Sequence, residues 1–235
     1  MSRAALRRRR SGLKEGIMAG RTSYWKASRG RPGGFELPKP GPWRGCSVLR
    51  ALKERRTVRE IGPEKLPLRT LSNLLWAACG INRAKGPFGG PGRTAASASN
   101  SQEVDVYAAL EDGIYLYDPA GHRLEPAAAG DLRVLAIGAG QGGAGAEAPV
   151  RLIYVADLDK FNRAGFPEPG LYDPEVQKSY YYADAGLMAG NVYLFAASQG
   201  LAAWLHNCDR AALAKALRLR RDQRPLFGQT IGFPL

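Results

Sequence analysis

The sequence is poor in the residues that build metal centres and disulfide frameworks. It has only three cysteines, Cys46, Cys79 and Cys208, without a C-x-x-C spacing, and only two histidines, His122 and His206. An odd number of unclustered cysteines does not support a disulfide scaffold or a structural zinc site, and two imidazoles leave a histidine-based site almost without ligands. We therefore expect no metal, and the cysteine pattern fits a reducing cytoplasm best.

Long apolar runs and transport signals are also missing. No stretch approaches the roughly 18 apolar residues that a membrane helix needs, so we expect no membrane partner. The basic run Arg7–Arg10 is not followed by the apolar segment of a secretory signal, which argues against export. With 235 residues, 45% of them hydrophobic, the chain is long enough for one domain with a buried core.

The positive charge is confined to one end of the chain. Residues 1–59 hold 17 Lys and Arg against 3 Asp and Glu, whereas the other 176 residues hold 17 against 18. The net charge of +13 therefore describes an Arg-, Gly- and Pro-rich extension, residues 1–46, which we predict to be disordered, and not the domain at 47–235. Because Arg7–Arg10 has no interleaved aromatics and no folded reader beside it, we do not expect nucleic acid as the partner.

The spacing of apolar residues predicts mixed helices and strands. A first helix is expected over 47–56, with Ser47 as N-cap and Val48, Leu49 and Leu52 on one face. A second helix is expected within the stretch 68–82, where it stops at Gly80. "VDVYAAL" and "GIYLYDP" predict a β-hairpin, "HRLEPA" a third short strand and "VRLIYVADL" the central strand. The Gly-rich segment 138–149 lacks a nucleotide-loop pattern and is interpreted as a flexible connection.

The second half of the chain predicts a long helix, a short helix and a last strand. Small residues recur at helical spacing along 175–200, a pattern that fits either core packing within the chain or a helix-to-helix dimer interface. A shorter helix capped by Asp209 and a strand over 224–235 follow. Helices on both sides of mostly antiparallel strands indicate an α+β layered domain.

Two polar clusters are candidates for a binding site. Arg55, Arg56, Thr57 and Arg59 place three guanidiniums and a hydroxyl within five residues, which can bind a phosphate or can simply be a solvated helix end. The run "RTAASASNSQEVDVY" carries small hydrogen-bonding side chains suited to the edge of a planar heterocycle, although most such runs are plain loops; these are Ser97, Ser99, Asn100 and Gln102.

The sequence lacks an activated nucleophile. No serine lies in a G-x-S-x-G elbow, and neither histidine falls into a triad pattern. We assign no catalytic side chain, so any chemistry would have to be carried by a bound cofactor.

Four motifs in order carry a resemblance to a known family. "RRTVRE", "RTAASASNSQEVDVYAALEDGIYLYDP", "ADAGLMAGNVYLFAASQGL" and the terminal "GQTIGFP" resemble the nitroreductase family of flavoproteins, and within it the branch of the SagB-type dehydrogenases. The resemblance covers about residues 47–235. It implies a three-layer α+β sandwich that forms an intertwined homodimer with FMN in the interface.

The resemblance also implies roles for the two clusters. Arg55, Arg56, Thr57 and Arg59 would hold the FMN phosphate and ribityl chain, and the backbone of Ala203, Trp204 and Leu205 would lie along the ring. Ser97, Asn100 and Gln102 would reach the flavin from the partner subunit. In this family NAD(P)H commonly passes a hydride to flavin N5, and a small electrophile such as a nitroaromatic or a quinone then takes the electrons.

The chain departs from the family pattern at three positions. Ala96 replaces a usual proline, Ser101 replaces an aromatic and is expected to open space over the flavin, and Leu235 stands where relatives carry a cation aimed at the phosphate. Arg224 or an N-terminal arginine could compensate for that missing cation. These departures keep two alternatives open: a SagB-like azoline dehydrogenase acting on a modified peptide, and a catalytically degenerate flavin-binding relative.

Overall fold

The fold is taken from a computed structural model that describes residues 34–42, 45–139, 147–166 and 168–235. The basic run Arg7–Arg10, most of the predicted extension and residues 140–146 of the predicted flexible connection lie outside the described residues. In the described part of the chain, no helix combines the length and the apolar character needed to cross a membrane.

Seven strands form one antiparallel sheet. Their spatial order is β1-β6-β5-β4-β7-β9-β8, and every neighbouring pair runs antiparallel. A separate ribbon pairs β2 (Ile81–Arg83) with β3 (Gly92–Arg93). The strands of the main sheet are β1 (Phe35–Glu36), β4 (Val104–Leu110), β5 (Gly113–Asp118), β6 (Arg123–Ala129), β7 (Val150–Asp157), β8 (Ala202–His206) and β9 (Gln223–Gly232).

Helices cover both faces of the sheet. They are α1 (Val48–Glu54), α2 (Leu68–Cys79), the short α3 (Asp159–Asn162), the 26-residue α4 (Pro174–Gln199) and α5 (Arg210–Ala216). The larger core lies between the sheet and the helices α2 and α4, and the smaller one lies under α5 and the 3-10 turn Arg133–Ala136. This arrangement is the predicted three-layer α+β fold.

The central position of β7 explains its mostly apolar sequence. All eight of its residues are buried, and it pairs with β4 on one side and β9 on the other. Leu152 faces the larger core, whereas Ile153 faces the smaller one. Because successive side chains of a strand point to opposite faces, a strand with a core on each side is apolar at most positions, and the two exceptions in β7 are the buried Arg151 and Asp157.

The predicted helix boundaries are confirmed by their caps. The Ser47 hydroxyl accepts the Arg50 N–H at the start of α1, and the Asp209 carboxylate accepts the Ala212 N–H at the start of α5. Helix α2 ends at Gly80, and α4 ends at Gly200, whose φ of 68° lies in the left-handed region that glycine tolerates best.

The apolar face of α1 does not point into the protein's own core. Val48, Leu49 and Leu52 are 67%, 78% and 54% exposed, and only Ala51 of this helix is buried. An apolar helix face of this size is unusual on the surface of a monomer.

Part of the segment assigned to the extension belongs to the folded domain. Strand β1 pairs with the outer side of β6, and Leu37 is buried in the larger core. The Pro38 carbonyl accepts a hydrogen bond from the Ser72 hydroxyl of α2, and His122 lies within hydrogen-bonding distance of both groups. Residues 34–42 therefore complete one edge of the sheet, and the folded part starts before the predicted boundary at residue 46.

Candidate functional site

The first predicted cluster lies along the edge of the sheet. Strand β8 is hydrogen-bonded to β9 on one side only, so its other side is open to the segment that follows α1. The Val58 N–H donates to the Ala203 carbonyl at 3.0 Å. The structure therefore brings together the two groups predicted from separate motifs, residues 55–59 and residues 203–205.

Tyr193 of α4 is hydrogen-bonded to both segments, residues 55–59 and residues 203–205. Its hydroxyl accepts the Leu205 N–H at 2.8 Å and shares a hydrogen bond of 3.2 Å with the Thr57 hydroxyl. The Arg55 guanidinium lies over the Tyr193 ring at 5.4 Å, and Arg59 lies over the Trp204 ring at the same distance. Tyr193 was missed from the sequence, where it reads as one more apolar residue of a long helix.

The cluster carries an uncompensated positive charge. Arg55, Arg56 and Arg59 are exposed, and within the described residues none of them forms an ion pair with a carboxylate. By contrast, the exposed Arg50 one helical turn before them is paired with Glu54. Guanidiniums bind anions with several oxygens, such as a phosphate, and none of these three is committed to a carboxylate within the described residues.

The second predicted cluster is a tight turn with an unusual backbone. Ser99, Asn100 and Gln102 have φ angles of 49°, 53° and 52°, and non-glycine residues adopt such angles mainly where the surrounding structure enforces them. The Ser97 hydroxyl accepts the Gln102 N–H, and the side-chain amides of Asn100 and Gln102 both donate to the Pro91 carbonyl. We call residues 97–102 the polar turn.

Carboxylates hold the polar turn from its inner side. Asp184 of α4 accepts the Ala98 N–H at 3.1 Å, and Glu168 accepts the Ser99 hydroxyl at 3.0 Å. Glu103 accepts the hydroxyl of Ser101, which is buried and points inward. The expectation that Ser101 widens the ligand space is therefore wrong, because its side chain is committed to Glu103.

The two clusters lie at different positions along α4. The polar turn is anchored at Asp184, and the arginine cluster is anchored at Tyr193, nine residues further along the helix. At 1.5 Å per residue this separation is about 13–14 Å along the helix axis. Within one chain the structure brings residues 55–59 to 203–205, but it does not bring the polar turn to them.

The chain terminus lies beside the arginine cluster. The Leu235 N–H donates to the Glu60 carbonyl, and Pro234 forms a bridge with Ile61. Arg224 lies near the opposite end of β9 and, at about 3.3 Å per residue, is about 30 Å away along the strand. The Arg224 of the same chain therefore cannot replace a cation at position 235.

His206 is part of the interior. It lies in β8, is 5% exposed, and its two ring nitrogens are 2.8 Å from the Thr230 hydroxyl and the Asn207 carbonyl. Burial lowers its pKa, so the imidazole is neutral at physiological pH. Strand β9 and the Trp204 ring cover it.

One cleft lies away from both clusters. It has a volume of about 440 Å³ and is formed by the start of α4 and the start of β9, with Lys178, Tyr181 and Arg224 among its lining residues. No predicted site residue lines it. In the same part of the chain, no group of three or more His, Cys, Asp or Glu side chains is placed to hold a metal ion.

Known proteins share the sequence pattern and the fold of this chain. The nitroreductase family profile matches residues 52–233. A protein of Methanocaldococcus jannaschii, provisionally named a nitroreductase, is 31% identical over 157 residues, which are 64% of this chain and 73% of that protein. A crystal structure from Ralstonia eutropha, also provisionally named a nitroreductase, has a TM-score of 0.75 and 36% identity, and the match covers 86% of this chain and 90% of that one.

A more distant structure shares the fold alone. A chain of the Escherichia coli microcin synthetase complex, solved with truncated pro-MccB17 bound, has a TM-score of 0.61 at 18% identity, with coverage of 84% of this chain and 77% of that one. The seven-stranded antiparallel sheet between two helical layers, the family profile and the relatives lead to one assignment. The chain belongs to the nitroreductase family of oxidoreductases.

Proposed function

We propose that the protein is an FMN-dependent oxidoreductase that takes a hydride from NAD(P)H and delivers it to a small electrophilic acceptor, such as a nitroaromatic or a quinone. The observation that carries this proposal is a cluster of three exposed guanidiniums that have no carboxylate partners among the described residues and lie next to β8, the edge strand of the sheet. They belong to Arg55, Arg56 and Arg59. FMN presents a phosphate at one end and a flat ring at the other. The guanidiniums suit the phosphate, and the backbone along a strand edge suits the ring.

The residues of the cluster fit the parts of FMN. Arginine forks bind phosphate oxygens in pairs, and the Thr57 hydroxyl adds a short donor next to them. The backbone at Ala203, Trp204 and Leu205 would lie along the ring, held in place by Val58 and Tyr193. When bound, FMN supplies the hydride chemistry, and the protein supplies position and polarity.

A second copy of the chain would complete the site. Leu187 of α4 is 50% exposed, and a side chain placed at Gly186 or Gly190 would meet nothing within 4 Å. This open strip lies on the helix against which α1 packs, and α1 adds its exposed Val48–Leu49–Leu52 face. Covering both in a homodimer would remove a large apolar surface from water and allow the partner's polar turn to reach the flavin.

The test is flavin retention by the full chain. Purified protein should absorb at about 450 nm and release FMN on denaturation. The double variant Arg55→Ala/Arg59→Ala should lose the flavin while it keeps the circular dichroism of the wild type and the melting behaviour of the flavin-free wild type. The matched control Arg50→Ala/Arg163→Ala removes two exposed arginines that are paired with carboxylates instead, and it should keep the flavin.

The same preparations separate the alternatives. Faster NAD(P)H oxidation on addition of a nitroaromatic or a quinone supports the reductase. Oxidation of an azoline-containing peptide, with no response to those acceptors, would favour the azoline dehydrogenase. A colourless protein that does not take up added FMN would refute the proposal.

A further inference from the structure

Glu103 and Asp184 form a buried pair of carboxyl groups directly beneath the polar turn. Glu103 follows the turn and precedes β4, and its side chain is fully buried. Asp184 lies on α4 and is 6% exposed. The two carboxyl groups lie next to each other, close enough to share a hydrogen bond when one of them is protonated.

One proton must lie between the two groups. Glu103 Oε2 accepts the Ser101 hydroxyl, but among the described residues no donor reaches Glu103 Oε1. Two carboxylates cannot form a hydrogen bond with each other, whereas a protonated Oε1 can donate to Asp184 and is then satisfied. Burial, with the negative charge of Asp184 second, raises the pKa of Glu103 well above that of a free glutamate, so Glu103 holds the proton.

We propose that Glu103 and Asp184 are positioning residues that hold the polar turn in its flavin-binding conformation through this shared proton. The proposal rests on the proposed function, because the turn is the part of the protein assigned to the partner's flavin. Glu103 and Asp184 do not touch the flavin themselves. They act through Ser101 and Ala98.

The hydrogen bonds explain why loss of the proton would move the turn. Asp184 holds the Ala98 N–H at 3.1 Å, and Glu103 holds the Ser101 hydroxyl at 2.7 Å, so the pair anchors two points of one tight turn. Removal of the proton leaves two buried negative charges within hydrogen-bonding distance of each other, and they repel. Moving them apart pulls the two anchors apart and distorts a backbone that already holds three residues at positive φ.

The surrounding charges do not neutralise a doubly charged pair. Lys160 of α3 donates to the Gln102 carbonyl at 3.3 Å, but its ammonium is also paired with Asp105. The Glu103 carbonyl accepts the Asp157 N–H, and the Asp157 carboxylate is paired with Arg220. Other titratable or charged groups on the neighbouring elements include Cys79, Arg93, Glu168, Tyr180 and Tyr181.

The experiment measures the affinity for FMN as a function of pH. Flavin-free protein is titrated with FMN, followed by flavin fluorescence, from about pH 6 to about pH 9.5. We expect the wild-type Kd to rise about tenfold or more with pH. Each unit by which FMN binding shifts the pKa of the pair changes the Kd by a factor of ten. Glu103→Gln should bind FMN at neutral pH and lose this dependence, because its amide donates to Asp184 without a proton that titrates.

Two comparisons isolate the pair. Glu168→Gln removes another carboxylate that contacts the polar turn, through Ser99, and it should keep the wild-type pH profile. Asp184→Asn should behave like Glu103→Gln and serves as the second variant if Glu103→Gln folds poorly. Titration of FMN itself affects all variants equally, so the difference between them reports the pair alone.

The flavin-free protein provides an independent readout. Its free energy of unfolding in urea should fall as the pH rises from neutral to about pH 9.5, and Glu103→Gln should remove that fall. A Glu103→Gln profile identical to the wild type, or a wild-type protein without any pH dependence, would overturn the proposal. If FMN fails to bind at every pH, the proposed function fails, but the urea measurement still decides whether the pair shares a proton.

Discussion

Replacing Tyr193 with phenylalanine tests whether this residue organises the arginine cluster. The substitution keeps the ring under Arg55 and removes only the hydroxyl, which accepts the Leu205 N–H at 2.8 Å and bonds Thr57 at 3.2 Å. Leaving the half-buried Leu205 N–H without its acceptor costs about 1–2 kcal/mol. We expect the free energy of unfolding of the flavin-free protein in urea to fall by about that amount. Any part of the loss that arises only in the flavin-bound state appears instead as weaker FMN binding, by up to about 5–30-fold.

The control is Tyr172→Phe, which removes a hydroxyl from a tyrosine that is 59% exposed. It should change the free energy of unfolding by less than about 0.5 kcal/mol and leave FMN binding unchanged. If Tyr193→Phe were as stable as the control and bound FMN equally well, the Tyr193 hydroxyl would not hold residues 55–59 against β8, and our account of the site would be wrong.

Three other predictions concern the chain terminus, the open helix face and the two histidines. Leu235→Arg adds a cation at an 84% exposed position beside the arginine cluster and should tighten FMN binding about tenfold, as measured by fluorescence titration; an unchanged Kd would place the phosphate elsewhere. Leu49→Glu combined with Leu187→Glu puts charges on the exposed apolar strip and should yield a monomer without flavin in light scattering; a yellow dimer would contradict the proposed interface. Partial burial lowers the pKa of His122, so the unfolded chain binds the proton first and stability is lost as the pH falls through about 6.5. His122→Asn, which suits the φ of 48°, should reduce this loss in urea unfolding without abolishing it, because burial lowers the pKa of His206 as well.

The order and type of the elements were predictable because the local signals agree with the tertiary contacts. Ser47, Gly80 and Asp209 act as caps by themselves, since each bonds backbone groups a few residues away. The strand signal of β7 was equally readable, because burial on both faces favours apolar residues at most of its positions. The environment of α1 could not be predicted from the sequence. Its apolar face points outward, and the helical spacing of apolar residues does not show whether such a face packs against the same chain or against another molecule.

The candidate site also has parts that were predictable from the sequence and parts that were not. Residues 55–59 and 203–205 were recognised from motifs, and the sheet edge joins them as expected. Tyr193 and Asp184 escaped notice because their roles depend on what α4 packs against, more than 80 residues away in sequence from the polar turn in the case of Asp184. The burial of Glu103 was hidden for a similar reason. A glutamate next to a Ser- and Gln-rich run is expected to be exposed to solvent, and only its long-range contact with Asp184 shows that it is buried.

The geometry of α4 links assembly to cofactor binding. The helix presents Tyr193 to the arginine cluster and Asp184 to the polar turn, and between them lies the exposed strip with Leu187. If a second copy covers that strip, the two halves of each site come from different subunits, and neither half is complete in a monomer. Flavin binding then stabilises the dimer, and dimer formation raises flavin affinity by the same free energy. In the proposed homodimer the chemistry would need no catalytic side chain, because the interface itself, built on one long helix, would position the cofactor.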